Sequence, residues 1–121
     1  MATVAYFEGT DPGVLTRLAV KGINTMPVSN GFDGHGKYIN HIGKGEADVV
    51  VAYVHKLMPI PGVVSSPSDI LFACRTHNIP VLFVAARESH NETRAILGEV
   101  ANLGKIVAPE DLFDEIMRII Q

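Results

Sequence analysis

Residues 47–55 (ADVVVAYVH) constrain this chain more than any other segment. Their β-branched residues run on without alternating with polar ones, which is the pattern of a strand covered on both faces. Strands of that kind belong to parallel sheets, whose crossover connections lay helices over the two faces. The remaining sequence supplies the other parts of such a sheet. Residues 2–7 (ATVAYF) form an apolar, β-favouring run that stops at Glu8-Gly9, and Asp11-Pro12 then has the form of an N-cap followed by proline at N1. The helix so started carries Val14, Leu15, Leu18 and Ala19 on one face and closes at Gly22. Residues 23–29 read as a second strand, weakened by Pro27.

Residues 30–37 (NGFDGHGK) are a glycine-rich turn that opens a short helix, which gives way at Gly43 to Gly45. Beyond the continuous strand lies an apolar loop, residues 57–64, and then Ser66-Pro67-Ser68-Asp69, a capping box with proline at N1. The helix it starts is expected to run to about His77, with Asn78 as a left-handed cap. Residues 80–85 form the fourth strand, 91–103 a helix closed by Gly104, and 105–107 a short fifth strand. Pro109-Glu110-Asp111 begins the last helix with an acidic first turn that suits the helix dipole. Five strands alternating with five helices predict an α/β fold: a doubly wound five-stranded parallel sheet in three layers, Rossmann-like, in the flavodoxin-like order 2-1-3-4-5. Ligands of such sheets bind beyond the carboxyl ends of the strands where the order reverses. The segments to search for chemistry are therefore residues 8–12, 30–37, 55–69 and 86–91.

At 121 residues the chain has room for one domain, residues 1–121. Its 47% hydrophobic residues exceed what a small monomer needs, so part of the surplus is assigned to a subunit interface, giving a homodimer or higher homo-oligomer. Ten Lys plus Arg against thirteen Asp plus Glu give a net charge of −3, with neither sign gathered into a run. That balance argues against nucleic acid and against a membrane surface as partners. The single cysteine has no internal disulfide partner, the start of the chain lacks the pattern of a secretory signal, and no apolar run is long enough to span a bilayer. The expected setting is cytoplasmic.

Gly31-Phe32-Asp33-Gly34-His35-Gly36-Lys37 satisfies the spacing of a phosphate loop, yet Tyr38 follows where a magnesium-binding Ser or Thr is required. Triphosphate hydrolysis is set aside on that ground. Backbone amides of this loop and Lys37 remain suited to a monophosphate, and a turn that merely uses glycine for positive φ is the competing reading. A phosphoacceptor receiver domain shares the topology but needs aspartate after the third strand and lysine after the last. Those places hold His55-Lys56 and Ala108-Pro109. The five histidines show no i, i+4 pairing and no cysteine at ligand spacing, so no metal site and no cofactor are expected. His35 and His55 fall in ligand-facing loops. Cys74 sits among apolar neighbours and reads as packed core. Asp69 stands at the mouth of the expected site, either as the N3 member of the Ser66 capping box or as a catalytic carboxylate.

Three pieces of the sequence resemble one family, the nucleoside 2-deoxyribosyltransferases and deoxynucleoside 5′-phosphate N-glycosidases. Tyr6-Phe7-Glu8-Gly9 matches its opening Tyr-x-x-Gly, and Ala47-Asp48 before an apolar run matches the start of its third strand. The stretch from Ser65 to Ala73, followed by Ile79-Pro80-Val81, is similar to its catalytic helix and the strand after it. Asp69 stands where the family has glutamate, one methylene longer, and Leu71 where it has glycine. The resemblance implies glycosyl transfer on a nucleoside or nucleotide. On that resemblance Asp69 would attack C1′ of a deoxyribose as the C1′–N bond breaks and the base leaves, giving a covalent glycosyl-enzyme, and Tyr6 would orient that carboxylate. The turn through Gly9, Asp11 and Gly13 holds the sugar's 5′-oxygen or phosphate. His35, Lys37, His55 and Ser66 complete the expected substrate contacts. A non-catalytic module of the same fold, binding a nucleotide or another small phosphorylated ligand, is the alternative. If the chain is such an enzyme, the apolar loop at 57–64 is expected to be a substrate lid or a dimer contact beside the site; a purely structural oligomerisation module built on that loop is a third reading.

Overall fold

The computed structural model describes residues 2–31, 36–57 and 67–120. Six strands, β1 (Thr3–Tyr6), β2 (Asn24–Ser29), β3 (Lys37–Tyr38), β4 (Val49–Tyr53), β5 (Val81–Val84) and β6 (Gly104–Val107), form one sheet in the order β3-β2-β1-β4-β5-β6. Every neighbouring pair is parallel. The five expected strands keep the order 2-1-3-4-5, and β3 adds a sixth beyond β2.

Alternation along the strands sends each side chain to one of two apolar layers. Val4, Val49, Val51, Leu82 and Val84 point to the face covered by α1 (Pro12–Val20) and α5 (Leu112–Ile120), where Val14, Leu18, Leu112, Phe113 and Ile116 are buried. Ala5, Phe7, Val50, Ala52, Val81 and Phe83 point the other way, against Ile70 of α2 (Pro67–Ile70), Cys74 of α3 (Phe72–His77) and Leu97 of α4 (His90–Leu97). Val49, Val50, Val51 and Ala52 are all fully buried, so the continuous apolar strand is central and covered on both faces as its sequence requires. Each such valine contributes roughly 1.5–3 kcal/mol relative to exposure. The Arg17 guanidinium, 3.7 Å from the Phe113 ring centroid, ties α1 to α5.

Local signals are realised closely. Asp11 caps α1, and Gly22 ends it in a Schellman motif, with Gly22 N–H donating to Ala19 O and Ile23 N–H to Leu18 O, both at 3.0 Å. On that helix Val14 and Leu18 are buried, whereas Leu15 is half-buried and Ala19 exposed. Asn78 takes the left-handed conformation, φ 55°, after α3.

Three expectations need correction. The glycine-rich segment does not open a helix at Lys37: Lys37 and Tyr38 form β3, paired with Val28 and Ser29, and only a 3-10 turn follows at Ile39–His41. Gly36, φ +80°, permits this because any Cβ there would run into the Pro27 carbonyl. Pro27 itself is tolerated inside the sheet. Asn24 N–H donates to Ala2 O at 3.0 Å, so Pro27 has the opposite parity and faces away from β1, where β3 pairing starts only at Val28. The helix expected up to His77 is broken at Leu71 into α2 and α3. The helix expected to reach Leu103 stops at Leu97, where Gly98 adopts φ +59° and 3-10 turns carry the chain onward. Gly104 is then no helix closer but the first residue of β6.

A side chain at Gly104 would overlap the Val81 backbone, so its role is close approach of β6 to β5. Gly104→Ala is expected to lower the unfolding free energy in urea by about 1–3 kcal/mol. Gly45→Ala, at φ +83° in open space, is expected to cost only the backbone term of about 1 kcal/mol. A smaller loss for Gly104→Ala than for Gly45→Ala contradicts the assignment.

Candidate functional site

Because all strands are parallel, their carboxyl ends share one edge of the sheet, and the order reverses between β1 and β4. The β1–α1 turn there is built from its own hydrogen bonds. The buried Thr10 donates its hydroxyl to Phe7 O at 2.7 Å, and Gly9 turns the chain at φ +95°. Asp11 Oδ1 accepts the Gly13 N–H at 2.8 Å, while Val14 and Leu15 N–H donate to Asp11 O at 3.1 and 3.3 Å. Pro12 has no N–H, so the first-turn amides of α1 are already satisfied within the chain. A phosphate held there would have to displace the Asp11 carboxylate.

The chain leaving β4 comes against this turn. A Cβ placed on Gly9 would lie 3.5 Å from both Cε1 and Nε2 of His55, so the imidazole sits over the glycine. The Tyr53 and His55 rings are 5.9 Å apart. Burial pushes the half-buried Tyr53 phenol above its ordinary range; a hydrogen bond from the Asp11 backbone opposes this, and the Asp11 charge adds to it. Lys56 Nζ lies 3.8 Å from Glu8 Oε1, and the buried Asn30, at the end of β2, donates Nδ2 to Lys56 O at 3.0 Å. Of the expected substrate contacts, the structure thus groups Gly9, Asp11, Gly13 and His55. It adds Tyr53, Lys56 and Asn30, which sequence reasoning missed. Their one signal was position, at or just beyond the ends of the strands on either side of β1.

Other expected residues stand apart. Lys37 Nζ pairs with Glu46 Oε2 at 2.8 Å, and Glu46 Oε1 accepts the Gly43 N–H at 3.0 Å. The Lys37 hydrogen bond, with the Gly43 amide next, holds the Glu46 carboxyl below the usual carboxylate range. Lys37 is therefore a strand residue committed to an exposed ion pair. His35, Ser66 and the apolar segment 58–64 lie outside the described residues, and Leu57 at the start of that segment is buried.

Asp69 is exposed in the first turn of α2. Tyr6 packs with the layer under α1 and α5, whereas Ile70 and Leu71 beside Asp69 belong to the opposite layer. The side chain that positions the Asp69 segment is Asn40. Its Nδ2 donates to Asp69 O at 2.8 Å and to the Tyr38 hydroxyl at 3.0 Å, and its Oδ1 accepts the Ala73 N–H at 3.0 Å. Leu71 gives α3 no side-chain cap, so Asn40 caps that helix from 33 residues away. Burial pushes the Cys74 thiol up to about 12, which fits packed core and no reactive role.

Compared with known proteins, the chain matches no family model and no curated protein.

Removing Asn40 leaves the Ala73 amide and the Asp69 carbonyl without this partner. Asn40→Ala is expected to cost about 1–3 kcal/mol and to speed amide exchange at Ala73. Asn40→Asp keeps the acceptor and should preserve most of the Ala73 protection. Unchanged Ala73 exchange in Asn40→Ala would contradict this role.

Proposed function

We propose that this chain binds a small nucleoside or nucleotide at the carboxyl edge of its sheet, between the β1–α1 turn and the segment leaving β4. The observation that carries the reading is the convergence of Gly9 and Asp11 with Tyr53, His55 and Lys56 where the strand order reverses. Gly9, Asp11 and His55 are exposed and hence accessible. The chemistry there is mixed. Carboxylates from Glu8 and Asp11 accept hydroxyl groups of a sugar, while His55 and Lys56 donate to a phosphate. Asp11 already occupies the α1 N-terminus, which favours a sugar hydroxyl at that position and the phosphate on the His55 side.

Glycosyl transfer through Asp69 is the second reading. It is supported by the exposure of Asp69 at the start of a helix held in place by Asn40, together with the resemblance at Tyr6-Phe7-Glu8-Gly9 and around Asp69. On this reading Asp69 is the nucleophile, and the bound nucleoside or nucleotide loses its base. Water as acceptor makes the protein a hydrolase and a second base a transferase.

Thermal unfolding in the presence of common nucleosides and nucleoside monophosphates tests the binding reading. A ligand at 100 times its Kd is expected to add about 2.7 kcal/mol, and His55→Ala to remove most of that gain. Stabilisation by none of these ligands contradicts the proposal. Free base released from a deoxynucleoside monophosphate, and lost in Asp69→Asn, supports the second reading; release that survives Asp69→Asn removes Asp69 from the nucleophile role.

A further inference from the structure

A groove of about 360 Å³ lies at the side of the sheet between α4, the 3-10 turns after it and the edge strand β6, away from the β1–β4 switch. Its volume falls in the range of small-ligand sites. We propose that it binds a phosphate monoester, independently of the ligand at the carboxyl edge. The charged residues lining it are Arg94 and Lys105, both cations, and no acidic side chain joins them. Among the described residues the Arg94 guanidinium and the Asn102 amide make no hydrogen bond or ion pair, so both retain donors for a ligand.

Lys105 is only partly neutralised. Its Nζ lies 3.1 Å from Glu115 Oε1, and Arg118 Nη1 shares that same oxygen at 2.7 Å, so two cations answer one carboxylate. Glu115 and Arg118 lie outside the lining and balance one another, so the groove itself presents the two positive charges of Arg94 and Lys105. Those charges match a dianion, and a planar guanidinium beside an ammonium and a side-chain amide suits the several acceptor oxygens of a phosphate group. Ala101 and Ile106 add the apolar wall against which the organic part of a monoester packs.

Titrating the 15N-labelled protein with inorganic phosphate and with glucose 6-phosphate tests this directly. Saturable shifts centred on Gly98, Asn102 and Lys105 are expected, tighter for the monoester and weakened by added salt. Arg94→Gln, an exposed substitution within α4, should weaken binding at least about tenfold while the remaining spectrum stays that of the folded protein. Shifts that do not saturate, that survive unchanged in Arg94→Gln, or that are confined to Gly9, Asp11 and His55 overturn the proposal. The last of these outcomes would still leave the carboxyl-edge site standing.

Discussion

The structure depends on the pairing of β4 between β1 and β5 with both of its faces buried. Val49 and Val51 close one layer, Val50 and Ala52 the other, and neither layer survives without helices above and below. Parallel pairing then dictates the rest. Each connection must travel back across a face, and every strand must finish at the same edge. The convergence of the β1–α1 turn with the segment after β4 follows from the core, because both segments leave adjacent strands at the point where crossovers diverge.

What was legible in the sequence is what local chemistry decides. The Asp11 cap, the Gly22 Schellman motif and the left-handed Asn78 each depend on residues within one turn, and each stands where its pattern places it. The five main strands keep the order expected of five strands alternating with five helices around one continuously apolar strand. What escaped depends on partners remote in sequence. β3 is two residues long and exists because Gly36 lets it approach Pro27 of β2. The break at Leu71 is stabilised by Asn40, and Gly104 is required by Val81 of a neighbouring strand.

The same division runs through the candidate site. That Gly9, Asp11 and His55 lie near one another was legible, because parallel topology puts the segments leaving β1 and β4 side by side. Tyr53, Lys56 and Asn30 were not, since their relevance arises from contact with Asp11, Glu8 and each other across β1. Lys37 stands apart from this group. Glycines preceding a lysine suggested a phosphate loop, but Glu46, nine residues on, takes the ammonium. An ion pair of that sort, exposed on both sides, adds little stability.

On the proposed function, the β1–β4 switch, with Gly9 under His55, is where this chain meets a nucleoside or nucleotide. A crystal structure of the protein grown with a deoxynucleoside monophosphate decides the matter. Ligand density is expected between the Gly9–Asp11 turn and the Tyr53–Lys56 segment, with a sugar hydroxyl on Asp11 and the phosphate on the His55 side. A ligand bound elsewhere, with nothing over Gly9 and His55, would contradict it.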